Sequence, residues 1–210
     1  MNSTFKNLFS FILLLAIIVC SKPVNSQNEY KLSQLLSGGI GYGNAWMITG
    51  LDYSYYSSNS SYEETRRTSP SLSLYYEYIL KKKLGIGYLG VGAKFSYQTA
   101  VWEYQYLISS TNYYSKTRWN FYDLALRGLY HFIIPNQSKI EPYAGFSHSF
   151  VLWTQNSEDL NGYYSNSRSI FPIFIGYVGG ARYRFTKFTS VFAEIGWPFS
   201  FISCGVNLQI

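Results

Sequence analysis

The sequence predicts an all-β chain, an eight-stranded antiparallel up-and-down transmembrane β-barrel. Three observations carry this expectation. About eight segments alternate apolar and polar residues with period two, and the connections between them are alternately short and long. The five tryptophans also gather where segments meet the long connections. Trp46, Trp102, Trp119, Trp153 and Trp197 are therefore expected to form an interfacial aromatic belt, since an indole is apolar while its N–H stays wet.

Residues 1–26 read as a secretory signal peptide. Lys6 gives a weak positive start, Leu8 to Val19 is an apolar stretch, and Val24-Asn25-Ser26 is a cleavage signal. The apolar stretch is shorter than the roughly 20 residues a membrane helix needs, and no later segment reaches that length. Acylation at Cys20 is the competing reading. It is disfavoured because Val19 is not small. Residues 27–210 then form the barrel domain, in the bacterial outer membrane. Aromatic residues make up 20% of the chain and charged residues 13%, where a soluble domain carries about 25% charged. Low charge with 22 tyrosines suits a wall facing lipid. Cys204 is the only cysteine beyond the leader, so no intrachain disulfide is expected. The net charge of +6 is scattered apart from Lys81-Lys82-Lys83, and nucleic acid is not an expected partner.

In order, the strands are expected at Gln34 to Ala45, Ser71 to Leu80, Leu84 to Trp102, Arg118 to Ile133, Lys139 to Trp153, Ile170 to Phe185, Thr189 to Trp197 and Phe199 to Ile210. Lys81 to Lys83, Pro135 to Ser138 and Thr186 to Phe188 read as short turns. Met47 to Pro70, Glu103 to Thr117 and Thr154 to Ser169 read as long polar loops. Outer-membrane barrels have short periplasmic turns and longer external loops. In the last strand Ile202, Cys204, Val206, Leu208 and Ile210 point one way, and Ser203, Gly205, Asn207 and Gln209 the other. Pairing of this strand with the first would leave no edge in lipid. A soluble β-sandwich or lipocalin would also alternate, but with polar residues outside and more charge.

The same alternation turns Tyr76, Tyr78, Leu124, Leu126, Ala193 and Ile195 to lipid. Glu77, Lys94, Asp123, Arg127, Arg182 and Glu194 then face the lumen. Eight strands enclose only enough space for side chains. Charges placed there must pair, so a lumenal ion-pair network plugging the barrel is expected, with Lys94 and Asp123 at one height and the other four deeper. A narrow wet pore is the alternative.

The segments Gly180-Ala181-Arg182-Tyr183-Arg184-Phe185, Val191-Phe192-Ala193-Glu194-Ile195-Gly196-Trp197 and Gly205-Val206-Asn207-Leu208-Gln209-Ile210 resemble the C-terminal part of small bacterial outer-membrane β-barrel proteins, the porin-like or OmpA-type barrel family. Gly128-Leu129-Tyr130-His131-Phe132 with Glu141-Pro142-Tyr143-Ala144-Gly145 resembles the family's central hairpin. The resemblance runs from about Ser71 to the end. The family usually ends in an aromatic residue read by the barrel-assembly machinery, whereas this chain ends in Ile210. The resemblance implies fold and location, and no single activity.

No enzyme chemistry is expected. His131 reads as an inward structural histidine, and His148 and Ser149 point to opposite sides of their strand, so they cannot form a dyad. No metal or cofactor site is expected: Glu63-Glu64 and Glu158-Asp159 read as solvated loop charges, and Gly38 to Gly43 lacks the helix and lysine of a phosphate loop. The expectation is a monomer with a structural or surface-interaction role. Its partners are outer-membrane lipid and lipopolysaccharide, with an extracellular protein or glycan ligand for the tyrosine-rich loops. A small diffusion channel and an outer-membrane hydrolase are the alternatives.

Overall fold

The computed structural model describes residues 34–43, 62–108, 111–134, 139–159, 165–186, 188–197 and 200–210. The signal peptide, Trp46 and the loop tyrosines Tyr53, Tyr55, Tyr56, Tyr163 and Tyr164 lie outside them. Among the described residues there are nine antiparallel strands: β1 (Gln34–Tyr42), β2 (Tyr62–Thr68), β3 (Ser71–Leu84), β4 (Gly87–Ile108), β5 (Thr111–Phe132), β6 (Ile140–Asp159), β7 (Ser165–Arg184), β8 (Thr189–Gly196) and β9 (Ile202–Gln209). β2 and β3 both pair with β4 and make a single stave of the wall. Pro70 separates them because it has no N–H for the ladder. Ser69 N bridges the gap by donating to Thr99 O (2.9 Å).

Each stave pairs with its neighbours in the chain, and β1 pairs with both β3 and β9. The sheet is closed, an eight-stave up-and-down barrel. Its closing ladder runs from Leu35 opposite Gln209 to Tyr42 opposite Ile202. The alternation that predicts the strands is visible in their burial. In β3, Ser71, Ser73, Tyr75, Glu77 and Ile79 are buried, while Leu72, Leu74 and Tyr76 are exposed.

The connections differ from expectation in two ways. Lys81 to Lys83 is not a turn: β3 runs through it to Leu84, with a register shift between Ile79 and Lys83. The turn falls on Gly85, whose φ of 61° is accessible to glycine at no steric cost and which lysine does not favour. The expected long loops are also strands over much of their length. β2 lies within Met47 to Pro70, β4 reaches Ile108 and β5 begins at Thr111 within Glu103 to Thr117, and β6 and β7 extend into Thr154 to Ser169. Tyr, Thr and Trp favour strands wherever they occur. With water on both faces, such strands lose the apolar alternation that marks a strand in sequence.

The wall is uneven in height. β4 and β5 have 22 residues each and β6 and β7 have 20, whereas β1 has 9 and β8 and β9 have 8. The tall side projects at the upper end. The turns β3–β4, β5–β6 and β7–β8 lie at the lower end. A register shift in β7, between the pairs Ser149–Phe174 and Val151–Phe171, coincides with Pro172, where a missing donor costs least.

Candidate functional site

The inner face is polar at its lower end. Glu77 on β3, His131 on β5, and Glu141 with Arg182 on β6 and β7 converge there, and all four are buried. Arg182 Nη2 donates to Glu77 Oε2 and Nη1 to Glu141 Oε1, both at 2.9 Å. His131 Nδ1 meets Glu141 Oε1 at 2.7 Å, and Nε2 contacts Glu77 Oε1. Arg184 adds a bond from Nη2 to Glu141 Oε2 at 2.5 Å. Since β3 and β7 are not neighbours, the Arg182–Glu77 pair spans the barrel. Both carboxylates are occupied by cationic donors, which makes this an ion-pair cluster. Among the described residues no three His, Cys, Asp or Glu side chains are grouped so as to hold a metal ion.

A second cluster lies above. Arg127 Nη2 donates to Glu194 Oε1 at 2.7 Å across the barrel, and Tyr143 OH donates to the same oxygen at 2.8 Å. The Arg127 guanidinium lies 5.1 Å from the Tyr75 ring centre, and Phe192 meets that ring edge-on at 5.3 Å. The sequence places Glu77, Arg127, Arg182 and Glu194 at one depth. The structure divides them into two layers, and Tyr143 touches both: its hydroxyl donates to Glu194, and its ring centre lies 5.2 Å from the Arg182 guanidinium. Lys94 and Asp123 line one cavity of about 30 Å³ with Arg127 and Glu194. They do not form a direct pair: the Lys94 ammonium lies over Tyr75 at 5.5 Å, and Asp123 Oδ1 has no hydrogen-bond partner among the described residues. A cavity of this size has room for one or two bridging waters.

The tryptophans close the top of this interior. Trp119 is 4% exposed and Trp153 is 8% exposed. Trp102 stacks on Trp119 at 6.4 Å, and Trp153 meets Phe121 edge-on at 6.2 Å. Below them Gln98 Nε2 donates to Ser69 O (2.8 Å) and Gly43 O (3.3 Å). These tryptophans sit at the expected height but on the inner face, so the outward belt assigned to them is corrected. Trp119 shares its strand parity with Asp123 and Arg127, and the β4–β5 ladder has no bulge to change it. Trp197 also lines the lumenal cavity.

Sequence reasoning missed Glu141, Tyr143, Tyr75 and Arg184 as members of the clusters. Tyr75 shares strand parity with Glu77 and Arg184 with Arg182, so that signal is available for both; on β6 the sequence reading assigns no inward residue from which Glu141 and Tyr143 could be read.

On the outer face of β5, Phe132, Tyr130, Leu126, Leu124 and Tyr122 follow one another, then Asn120, Arg118 and Lys116. On β6, Ile140, Phe146, Phe150 and Leu152 give way to Thr154, Asn156 and Glu158. The change falls at one level, because Tyr122 pairs with both Tyr97 and Leu152. Below it the outer face is apolar, with Phe146 71% and Ile175 69% exposed, while the charges point inward. An apolar band of this height, with its polar groups inside, is the reverse of a water-soluble protein. The fold is that of a transmembrane β-barrel. Above the band, Lys116 Nζ donates to Glu103 Oε1 at 2.8 Å and holds that carboxyl below its usual range.

No family profile and no curated protein matches the chain. Solved transmembrane barrels do align with it. A de novo designed transmembrane β-barrel aligns with a TM-score of 0.40 at 15% identity, over 87% of this chain and 99% of the design. Ail, the attachment invasion locus protein of Yersinia pestis, gives 0.43 at 9% identity, over 84% and 93%. Neisserial surface protein A gives 0.38 at 14%, over 84% and 97%.

Proposed function

We propose that the protein is a monomeric bacterial outer-membrane barrel with a structural or surface-interaction role, closed to solutes by its own side chains. The observation that carries this reading is the layered interior. Two ion-pair clusters cross the lumen, and a tryptophan layer lies above them. An unpaired charge in such a space is costly, so the pairs resist being pulled apart. Delivery follows cleavage of the leader near Ser26 and insertion by the barrel-assembly machinery. The tall β4–β7 side would then stand outside the cell, where Arg67 and Arg118, opposite Val101 on the outer face, would meet lipopolysaccharide and the hairpin tips a protein or glycan. Tyrosine-rich surfaces offer large contact area at low entropy cost.

The test is conductance of the refolded full chain in a planar bilayer. The closed reading expects no unitary steps. Steady ohmic steps in the unaltered chain would overturn it in favour of a diffusion channel.

A further inference from the structure

We propose that the lower rim of the barrel binds anionic phospholipid headgroups, with Lys81, Lys82, Lys83 and Lys139 as the phosphate-contacting groups. This rests on the transmembrane reading of the fold. All four lysines are exposed: Lys81 to Lys83 lie in the last residues of β3 and Lys139 directly before β6, at the lower ends of adjacent hairpins. The register shift between Ile79 and Lys83 places extra β3 residues opposite β4, so Lys81 and Lys82 stand off the regular ladder.

No exposed acidic side chain balances them among the described residues of this end. Its two acids, Glu77 and Glu141, are buried in the lumen and already held by His131 and Arg182. The upper end is different: Lys116 is paired to Glu103, and Glu158 lies beside them, so charges of both signs alternate there. A field of one sign is therefore confined to the lower rim.

Its depth points to lipid. Leu84, Ile140, Phe185, Phe188 and Ile210 are exposed around the same rim. They mark where the apolar band ends, and headgroup phosphates lie at that level. A lysine there can rest its stem on apolar surface and extend its ammonium to the phosphate. Each lysine near an anionic surface favours association about fivefold.

The experiment uses the full chain refolded into phosphatidylcholine vesicles carrying spin-labelled phosphatidylglycerol or spin-labelled phosphatidylcholine. Insertion is read first, as a mobility difference between unheated and boiled samples in SDS. Absence of any inserted form would overturn the transmembrane reading and the proposal with it. In inserted protein, phosphatidylglycerol is expected to be preferred at least about fivefold. The preference should fall toward unity in a Lys81→Gln, Lys82→Gln, Lys83→Gln variant and in high NaCl, and partially in Lys139→Gln alone. An Arg66→Gln, Arg67→Gln variant should retain it. Equal association of the two lipids in inserted protein would overturn the proposal, as would a preference that survives removal of all four lysines. Stronger displacement by inorganic phosphate than by NaCl of equal ionic strength would also overturn it, because the rim would then be a general phosphate site.

Discussion

Arg182 is the residue on which the lower cluster turns. It donates to Glu77 and Glu141 at once, and without it two buried carboxylates face each other with fewer cations. Breaking a buried pair by removing one partner costs about 3–5 kcal/mol, so Arg182→Met should lower the unfolding free energy of the lipid-embedded protein by that order, read from urea denaturation. For Arg127 and Glu194 the expected signature is non-additivity. Either Arg127→Met or Glu194→Leu alone should destabilise, and the double variant should cost clearly less than the two summed. Additive losses in the same denaturation series would mean the two side chains act independently. Cys204 tests the outer face. It is exposed on β9 between Ile202 and Val206, so a membrane-impermeant maleimide should fail to label it in intact vesicles and should label it in the unfolded chain. Most of this was legible as parity. The alternation that turned Asp123 and Arg127 inward also fixed Trp119, two turns of the pleat away. The error was to place Trp119 by its chemistry at an interface when its position in the strand already decided its face.

At the scale of elements, the hairpin of β4 and β5 is continuous from the membrane band to Ile108 and Thr111. Its upper half adds no residue to the lumenal ion pairs. Excision of Tyr104 to Ser115 with a short glycine-containing turn should therefore leave the heat-dependent SDS mobility shift intact, and a lost shift would tie the hairpin to barrel integrity. Gly90 behaves differently. A methyl group there would lie 2.3 Å from Glu77 Oε1 and 2.8 Å from His131 Nε2. Gly90→Ala should then cost about 1–3 kcal/mol by displacing the lower cluster, read from the same urea denaturation. The membrane-embedded staves were readable because one face meets lipid and the other meets charge. The projecting halves were not, since both of their faces meet water and only the strand preference of Tyr, Thr and Trp remained to mark them.

For the whole molecule, the eight-stave count and the closure of the last strand on the first follow from the alternation and the connection lengths. The difference in stave height does not, because it arises from segments that read as loops. Closure depends on β9. Deletion of Ile202 to Ile210 should leave a sheet with two open edges and abolish the mobility difference between unheated and boiled samples, while a retained shift would mean that β8 can close on β1 directly.

The β1–β9 ladder joins the two described strands that are farthest apart in the chain, and both are short. Every other neighbouring pair can form as soon as its second strand has been made. The clasp cannot. Until β9 arrives the chain is a curled ribbon, its buried acids and arginines wet and its two rims of unpaired amides available to any passing strand. The interval before the clasp shuts is thus the period in which this protein most needs an escort.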